Sequence, residues 1–323
     1  MKKLIALVLA LVLSLGVISI TNASTSFNSQ EVYIYSNYSK VLIPDYLKKM
    51  ELSDEEWDYG YVLRYESEDG GTIFTYANYT ISNTPDIDEY ADFLKEVESA
   101  ENIEKFEVNG REALYFEKDG NSFYVGMHLG DENYDELGIT LKNEQNITKS
   151  EAEEYVKEIF ESFEEVVLDE SVAENIEIDP FETYKGVWFA DEIINRQYYI
   201  PENYIQGELS EDMRSSGFTC TFYPEDKSQF YTTHYSTYDY DYTLNDAYFI
   251  MNVMGYTDIE PVVINGKTAL FGILDEDLDL VYIEPTEEGA IEYTFTTSPD
   301  NKDGVEEGVK LIVSVLASFT DIN

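Results

Sequence analysis

The chain has 323 residues, of which 66 are acidic and 20 are basic, so its formal net charge is −46. A surface this negative repels nucleic acids and anionic lipid headgroups, which excludes nucleic-acid binding. It favours solubility, with attraction of a cation or a basic partner as the alternative interpretation. Hydrophobic residues make up 43% of the chain, and 17 Phe and 28 Tyr supply large side chains, so we expect two folded domains rather than disorder.

Residues 1–23 have the pattern of a signal peptide. Two lysines precede an apolar run from Leu4 to Ile20, and the small residue Ala23 ends the segment. We therefore expect a secreted or extracytoplasmic protein. An uncleaved N-terminal anchor is the alternative, because the run is near the lower limit for spanning a bilayer. No cysteine follows the run, which disfavours a lipid anchor, and we predict no membrane span after cleavage.

Short apolar and alternating segments of the first half predict strands joined by turns. The turns are Asp69-Gly70-Gly71 and Asn109-Gly110. The expected strands are Val32–Tyr35, Val41–Pro44, Tyr61–Tyr65, Thr72–Tyr76, Phe106–Val108, Ala113–Phe116, Ser122–Met127 and the alternating run through Leu137, Ile139 and Leu141.

Two further segments of the first half have helical spacing of apolar residues. The first predicted helix presents Tyr90, Phe93, Leu94 and Val97 on one face, and the second presents Tyr155, Val156, Ile159, Phe160 and Phe163. Alternating strands bury one face of a sheet, so we expect these helices to cover it.

The second half repeats the first. The segment Asn109–Leu114 matches the segment Asn265–Leu270 at an offset of 156 residues, with Asn, Gly, Ala and Leu at the same places. The same offset carries Ser162-Phe163 onto Ser318-Phe319, while Ile43-Pro44 matches Ile200-Pro201 at an offset of 157. Such self-similarity indicates a repeated structural unit. We predict a first domain over residues 29–167, an acidic, aperiodic linker over residues 168–183 and a second domain over residues 184–322.

The repeat assigns the same elements to the second half. Strands are expected over Phe218–Phe222 and Phe230–Thr233. The two helical faces are expected from Tyr248, Phe249, Ile250, Val253 and Met254, and from Leu311, Ile312, Val315, Leu316 and Phe319. The predicted fold class is therefore α+β, with two tandem domains that are each an antiparallel sheet flanked by helices, an α/β/α-type sandwich.

Taken together, these motifs resemble the PsbP-like family. The shared features are an early Ile-Pro with an aromatic residue soon after (Tyr46 and Tyr204), a central helix, a hydrophobic-x-Asn-Gly-x-x-Ala hairpin and a terminal helix ending in Ser-Phe. The resemblance covers both copies. It implies an antiparallel sheet flanked by helices, and an exported accessory or binding module rather than an enzyme. The missing lipid-anchor cysteine and the acidity depart from the family pattern, and no functional residue is carried over.

Cysteine and histidine are too scarce to predict a metal or redox centre. Cys220 is the only cysteine, so no internal disulfide can form. Its alternating surroundings favour a buried structural thiol, with a reactive thiol as the alternative. His128 and His234 are the only histidines, and we expect both at the surface. No cofactor is predicted.

Acidic clusters supply only a weak calcium prediction. Asp275, Asp277 and Asp279 resemble the start of a calcium loop, but Leu280 stands at the glycine position and Thr286 where a bidentate Glu is needed. A solvated hairpin tip is the alternative interpretation. Residues 131–136 have the same two interpretations.

A tyrosine-rich stretch is the candidate ligand-binding segment. Aromatic rings beside carboxylates and hydroxyls suit sugar or peptide recognition, because a ring offers apolar area with a polar tip. If the chain stays extended, alternation separates the tyrosines into two faces. The candidate residues are Tyr231 and Tyr235 on one face and Tyr238, Tyr240 and Tyr242 on the other. An exposed, β-prone edge without a ligand is the alternative.

These observations favour a non-enzymatic exported binding or accessory module whose partner is an unknown protein or cell-envelope component. The first alternative is a carbohydrate or cell-envelope binder that uses the tyrosine-rich stretch. The second is a carboxylate-based hydrolase, which requires a deep pocket holding two carboxylates with perturbed pKa values. No catalytic residue is predicted, because the sequence has neither a Gly-x-Ser-x-Gly elbow nor a phosphate-binding loop.

Overall fold

The structure, a computed structural model, describes residues 25–322 apart from residues 83, 109, 131, 226–230, 276, 288 and 298–301, so the predicted signal peptide (residues 1–23) lies outside the described part. Two compact units divide the chain after Val166, and we call them the first and second units. Both combine antiparallel sheets with helices, which confirms the α+β fold class. No helix within the described ranges is long and apolar enough to cross a membrane.

The first unit contains ten strands and three α-helices within the described residues. The strands are β1 (Ser29–Ile34), β2 (Ser39–Pro44), β3 (Lys48–Lys49), β4 (Tyr61–Glu66), β5 (Thr72–Thr80), β6 (Glu101–Val108), β7 (Arg111–Lys118), β8 (Ser122–Gly130), β9 (Asn133–Leu141) and β10 (Glu164–Glu165). The helices are α1 (Asp54–Asp58), α2 (Ile87–Glu96) and α3 (Lys149–Glu161).

Seven of these strands form one antiparallel sheet in the order β3-β4-β5-β9-β8-β7-β6. The other three form a small antiparallel sheet in the order β1-β2-β10. The extended segments that enter the Ile-Pro motif therefore pair with each other and with the chain after α3, and they do not join the large sheet.

The large sheet buries both of its faces. On β9, Leu137 and Ile139 face a core that includes residues of α3, β1 and β2. Tyr134 alternates with them and faces a second core beneath α2. Period-two alternation along each strand therefore separates the two cores, and a helix covers each of them.

Capping side chains fix where the helices begin. The Asp86 carboxylate accepts hydrogen bonds from the backbone N–H groups of Asp88 and Glu89 at the start of α2. Thr148 and Glu151 form a capping box at the start of α3. These bonds satisfy donors that the first helical turn leaves unpaired.

The second unit has eleven strands and four α-helices within the described residues. The strands are β11 (Glu174–Ile176), β12 (Gly186–Asp191), β13 (Arg196–Pro201), β14 (Tyr204–Gln206), β15 (Phe218–Pro224), β16 (Tyr231–Tyr238), β17 (Thr257–Ile264), β18 (Lys267–Leu274), β19 (Asp277–Thr286), β20 (Gly289–Thr297) and β21 (Thr320–Asp321). The helices are α4 (Pro180–Thr183), α5 (Glu211–Ser215), α6 (Leu244–Met254) and α7 (Lys302–Ser318).

Both units have the same strand order: strands that correspond in their order along the chain occupy the same positions in the sheets. Its large sheet runs β14-β15-β16-β20-β19-β18-β17-β11, and its small sheet runs β12-β13-β21. The one additional strand is β11, which pairs with β17 in parallel.

Strand β11 differs from the aperiodic linker that we expected over residues 168–183. Ile176 and Ile178 pack against the core of the second unit, so this segment has a strand's period-two alternation. Asn265, in the Asn-Gly turn, holds the segment: its Oδ1 accepts from the Ile178 N–H at 3.1 Å, and its Nδ2 donates to the Ile178 carbonyl at 2.9 Å.

Two residues expected on apolar helix faces are exposed. Val97 follows the end of α2 at Glu96, and Met254 is the last residue of α6. Each lies where the helix ends, so the helical spacing no longer directs its side chain to the sheet.

Gly126 marks the closest approach of α2 to the sheet. A Cβ built on Gly126 would lie 2.7 Å from Oη of Tyr90, a fully buried side chain of α2. We predict that Gly126→Ala lowers the free energy of unfolding of the first unit by about 1–3 kcal/mol, because the ring cannot move without disturbing the core.

Urea unfolding followed by circular dichroism measures this effect on the full chain. The control Glu112→Ala, at an exposed strand position, should change stability by less than about 0.5 kcal/mol. Equal stability of Gly126→Ala and the wild type would contradict the close packing of α2 on β8.

Candidate functional site

A cavity of about 470 Å³ opens in the first unit beside α2. Its apolar and aromatic lining comes from Tyr59, Tyr61, Ala77, Tyr79, Ile81 and Phe93. Its charged lining comes from Asp58, Glu98, Lys118 and Glu136. A cavity of this size, whose wall combines apolar and aromatic side chains with charged groups, suits a small molecule.

The strand register brings the central residues of the cavity together. Ala77 on β5 lies directly opposite Glu136 on β9. On β4 the pairing with β5 shifts between Tyr61 and Leu63, as in a β-bulge. Leu63 lies in the core beneath α3, whereas the bulge turns Tyr61 to the opposite face and into the cavity wall.

Glu136 is the most deeply buried charged group of the cavity, with 7% of its surface exposed. Tyr79 Oη donates to Glu136 Oε2 at 2.7 Å. Tyr90 Oη lies 2.9 Å from Tyr79 Oη and 3.3 Å from Glu136 Oε2, so two hydroxyls compensate the buried charge. Such bonds are needed because an uncompensated buried carboxylate is strongly unfavourable.

The two tyrosines remain protonated far above neutral pH. Burial, and then the negative charge of Glu136, raise the pKa of Tyr79 and of Tyr90 well above the ordinary value. Both hydroxyls therefore act as hydrogen-bond donors toward Glu136 at physiological pH.

Lys118 is the single cation among the described residues of the cavity wall. Its Nζ lies 3.3 Å from Glu98 Oε2. The same Nζ lies 5.2 Å from the ring centroid of Phe116 and 5.0 Å from that of Tyr124. Lys118 is thus held by an ion pair and by two aromatic faces, in a cation–π arrangement.

Tyr134 ties the start of α2 to the sheet and so fixes Tyr90. Its hydroxyl donates to the carbonyl of Thr84 and lies 3.2 Å from the carbonyl of Asp86, the N-cap residue. The rings of Tyr134 and Tyr90 are in contact, with centroids 4.1 Å apart.

An adjoining cavity of about 640 Å³ shares Tyr59 with the first. Its wall contains Arg64, which forms ion pairs with Glu56 and Glu66. None of the acidic residues of this wall is as deeply buried as Glu136, so we take the cavity around Glu136 as the candidate site.

The second unit has a corresponding glutamate. Glu292 on β20 lies opposite Ser236 on β16, as Glu136 lies opposite Ala77. Tyr238 Oη donates to Glu292 Oε2 at 3.1 Å, and the Tyr242 hydroxyl also hydrogen-bonds to Glu292. Burial and the charge of Glu292 raise the pKa of Tyr238 to about 12 and raise the pKa of Tyr242 further.

The structure separates the five tyrosines of the predicted binding segment. Strand β16 ends at Tyr238, so Tyr240 and Tyr242 do not continue its face. Tyr238, Tyr240 and Tyr242 nevertheless pack together, with the rings of Tyr238 and Tyr242 stacked at 4.0 Å. Tyr242 is 3% exposed and Tyr240 is 55% exposed, so of these three only Tyr240 presents a largely open ring.

The other two tyrosines are not part of this cluster. Tyr235 packs against the core on the opposite face of the sheet. The Tyr231 side chain lies outside the described part of the structure, although its backbone is in β16. Tyr235 and Tyr238 thus lie on opposite faces, as the alternation indicated, and ligand binding by this segment stays a prediction.

The calcium candidates around Asp275 do not converge. Asp275 is exposed in a turn, and Asp279 is buried, where the Tyr256 hydroxyl donates to it. Asp277 is partly exposed, and Glu276 lies outside the described residues. Within the described residues, no three acidic, histidine or cysteine side chains are grouped so that they could hold a metal ion.

The candidates over residues 131–136 are also divided between the two faces of the sheet. The Asp135 carboxylate accepts from Asn37 Nδ2 and Asn78 Nδ2, both at 2.7 Å. Glu136 points to the opposite face, where Tyr79 and Tyr90 meet it, and Asp131 is outside the described residues.

The histidine prediction was wrong for His128 and the cysteine prediction is confirmed. His128 is partly buried, with its ring centroid 5.1 Å from that of Tyr134. Its Nε2 is buried and has no hydrogen-bond partner among the described residues. The His234 side chain lies outside the described part. Cys220 is a buried thiol, and its Sγ lies 2.8 Å from Tyr198 Oη.

Sequence reasoning missed Glu136 and Glu292, although a signal was present. The two glutamates are separated by 156 residues, the offset of the repeat. In a chain with 66 acidic residues, a single glutamate carries little information, but one that recurs at the repeat offset on a predicted strand is a better candidate.

Comparisons with known proteins give no family for the chain. No protein-family model matches it, and no curated protein sequence matches it. Among solved structures, the cyanobacterial PsbP from Synechocystis sp. PCC 6803 is 17% identical with a TM-score of 0.32, and the match covers 42% of this chain and 92% of that one.

Two structures determined as complexes also match. MucB in complex with periplasmic MucA is 11% identical with a TM-score of 0.20, covering 88% of this chain and 89% of that one. The T6SS immunity protein TplEi from Pseudomonas aeruginosa, in complex with a peptide, is 10% identical with a TM-score of 0.23, covering 91% and 98%. All three TM-scores are too low for these likenesses to support a function.

The hydroxyl of Tyr90 generates a pH-dependent prediction. At neutral pH, Tyr90→Phe should lower the free energy of unfolding by about 1.5–3 kcal/mol, because a hydrogen bond to a buried charge is lost. The unfolded chain releases the tyrosine proton near pH 10, whereas the raised pKa of folded Tyr90 keeps it bound. The stability contribution of this proton is therefore complete below about pH 10 and is lost as the pH rises.

Urea unfolding between pH 7 and pH 11 measures both effects. Above about pH 10, wild-type stability should fall more steeply than that of Tyr90→Phe, by about 1.4 kcal/mol per pH unit. Parallel slopes for the two proteins would contradict the assignment of Tyr90 as a buried, protonated donor.

Proposed function

We propose that this chain is an exported, non-catalytic binding protein built from two copies of one α+β domain, and that the cavity of the first unit holds its ligand. The observation that carries the proposal is the cavity itself, which combines aromatic walls with the buried Glu136. Its volume suits a small molecule rather than the side of a folded partner.

The lining of the cavity favours binding over catalysis. None of the described lining residues is a serine, cysteine, threonine or histidine, so the hydroxyls of the described wall belong to tyrosines. Burial raises the pKa of Tyr79, the tyrosine that contacts Glu136, which favours a hydrogen-bond donor over a nucleophile. Glu98 is already engaged by Lys118.

Two features of the structure support the origin from two copies. The large sheets have the same strand order, with β11 as the one addition. Each sheet also places a glutamate at the same register position, where two tyrosine hydroxyls meet it. Under this proposal residues 29–167 and 184–322 are the two copies, and the pattern of residues 1–23 directs the chain out of the cytoplasm.

Glycoside hydrolysis is a second candidate, favoured by one observation. Three carboxyl groups, those of Asp58, Glu98 and Glu136, line one cavity, and glycosidases act with a pair. Turnover of chromogenic glycosides that is lost in Glu136→Gln would favour this candidate over the binding protein.

The binding proposal predicts the effect of filling the cavity. Ala77 is buried and lines the cavity, so the larger side chain of Ala77→Phe should occupy it. Ser236 has the same register position in the second unit, opposite Glu292, and Ser236→Phe is therefore the matched control.

Ligand-detected NMR with a library of soluble small molecules provides the measurement. At least one compound should bind the full chain, and Ala77→Phe should weaken that binding about tenfold or more, while Ser236→Phe leaves it within about twofold. Absence of any binder, or equal binding to Ala77→Phe after circular dichroism has shown that it is folded, would overturn the proposal.

A further inference from the structure

The charges on the cavity wall are not balanced. Its described residues carry three carboxyl groups and one ammonium group. The ammonium of Lys118 is paired with Glu98 at 3.3 Å. No cation among the described residues forms an ion pair with Asp58 or Glu136, so the wall retains an excess of negative charge.

Glu136 has one oxygen directed to tyrosine donors and one without such a donor. Both tyrosine hydroxyls are placed against Oε2. No described residue donates a hydrogen bond to Oε1, although Glu136 is only 7% exposed. Lys118, the one cation of the described wall, is already paired with Glu98, so an opposite charge for Glu136 would come from a ligand.

The rest of the wall suits the carbon atoms of an organic cation. Rings of Tyr59, Tyr61, Tyr79 and Phe93 line the cavity. Aromatic faces attract cations, and they do so more strongly when the site is desolvated. Lys118, in the same wall, already holds its ammonium over the rings of Phe116 and Tyr124.

We infer that the cavity beside α2 binds a small organic cation, an ammonium or guanidinium compound whose charge lies against Glu136 and whose carbon atoms contact the aromatic wall. This inference rests on the proposed function, since it names the ligand class of the same site. An inorganic cation fits less well, because Ca²⁺ and Mg²⁺ require several converging oxygen ligands, and no three acidic side chains of the described residues are grouped to hold a metal ion.

The second unit supplies an internal comparison. Lys118 is the last residue of β7, and the corresponding strand of the second unit, β18, ends with Leu274. Asp58 is the last residue of α1, and the corresponding helix, α5, ends with Ser215. Glu292 therefore retains its two tyrosine donors but has lost these two charged neighbours. Glu292→Gln is consequently a matched control for Glu136→Gln.

Isothermal titration calorimetry on the full chain tests the inference with three cations: choline, butylammonium and butylguanidinium. The control for choline is 3,3-dimethylbutan-1-ol, a neutral compound of nearly the same shape in which carbon replaces the charged nitrogen. We expect at least one cation to bind with one site per chain. If choline binds, dimethylbutanol should bind at least about tenfold more weakly than choline. If butylammonium binds, its neutral analogue butanol should bind at least about tenfold more weakly than butylammonium.

The variants assign the site. Glu136→Gln should weaken cation binding about tenfold or more, and Glu292→Gln should change it by less than about twofold. Bound choline should also show an upfield shift of its N-methyl proton resonances, because the methyl groups lie over aromatic rings. If Glu136→Gln unfolds, Asp58→Asn at the exposed end of α1 should still weaken binding without unfolding the unit.

Three results would overturn the inference: no cation binds, the neutral analogues bind as tightly as the cations, or Glu292→Gln weakens binding as much as Glu136→Gln. Failure of the inference is separable from failure of the proposed function. A neutral compound whose binding is lost in Ala77→Phe would leave the cavity as a binding site and exclude a cation as its ligand. Absence of binding by any compound would overturn both.

Discussion

A buried negative charge on the face of the sheet beneath α2 governs the arrangement of the first unit. Glu136 is 7% exposed, and its charge has to be met by donors that are equally withdrawn from water. Tyr79 supplies one from the neighbouring strand, and Tyr90 supplies the other from α2. The position of α2 is in turn set by Tyr134, which donates to backbone carbonyls at its start, and by Gly126, which leaves room for the Tyr90 ring. The helix, two strands and the cavity wall are thus linked through one carboxylate.

The second unit meets the same constraint with a different set of side chains. Tyr238 has the register position of Tyr79: in each unit the residue opposite the tyrosine lies two positions before the glutamate. The other donor has moved. Tyr90 lies four residues after the capping residue Asp86, and Ala247, which has no hydroxyl, lies four residues after the capping residue Thr243 of α6. In the second unit Tyr242, just before α6, supplies the hydrogen bond to Glu292 instead. Glu292 is only partly buried, whereas Glu136 is buried, so what the two units share is a glutamate at this register position that accepts from two tyrosine hydroxyls.

Much of the fold could be predicted from the sequence. Alternation predicted most strands of both large sheets, helical spacing predicted α2, α3, α6 and α7, and the Asn-Gly and Asp-Gly-Gly turns marked hairpins. These patterns are local consequences of burying one side of an element, so they can be read along the chain. The strand at Glu174–Ile176 could not be predicted so easily, because its partner β17 is distant in sequence and two isoleucines are a short signal. The exposure of Val97 likewise depended on where α2 ends.

The sequence by itself determined the α+β class, the matching segments at an offset of 156 residues, the negative charge and the burial of Cys220, because each follows from composition or from short-range spacing. Only the tertiary structure decided which of 66 acidic residues is the buried one of the site. Its composition made the tyrosine-rich stretch the candidate ligand-binding segment, yet Tyr242 is buried, and Tyr235 packs against the core on the opposite face of the sheet. The cavity joins Tyr61, turned by a bulge, with Lys118 at a strand end and Phe93 on a helix. Such a site depends on strand register and on helix docking, and the free energies that set both arise from contacts between residues far apart along the chain.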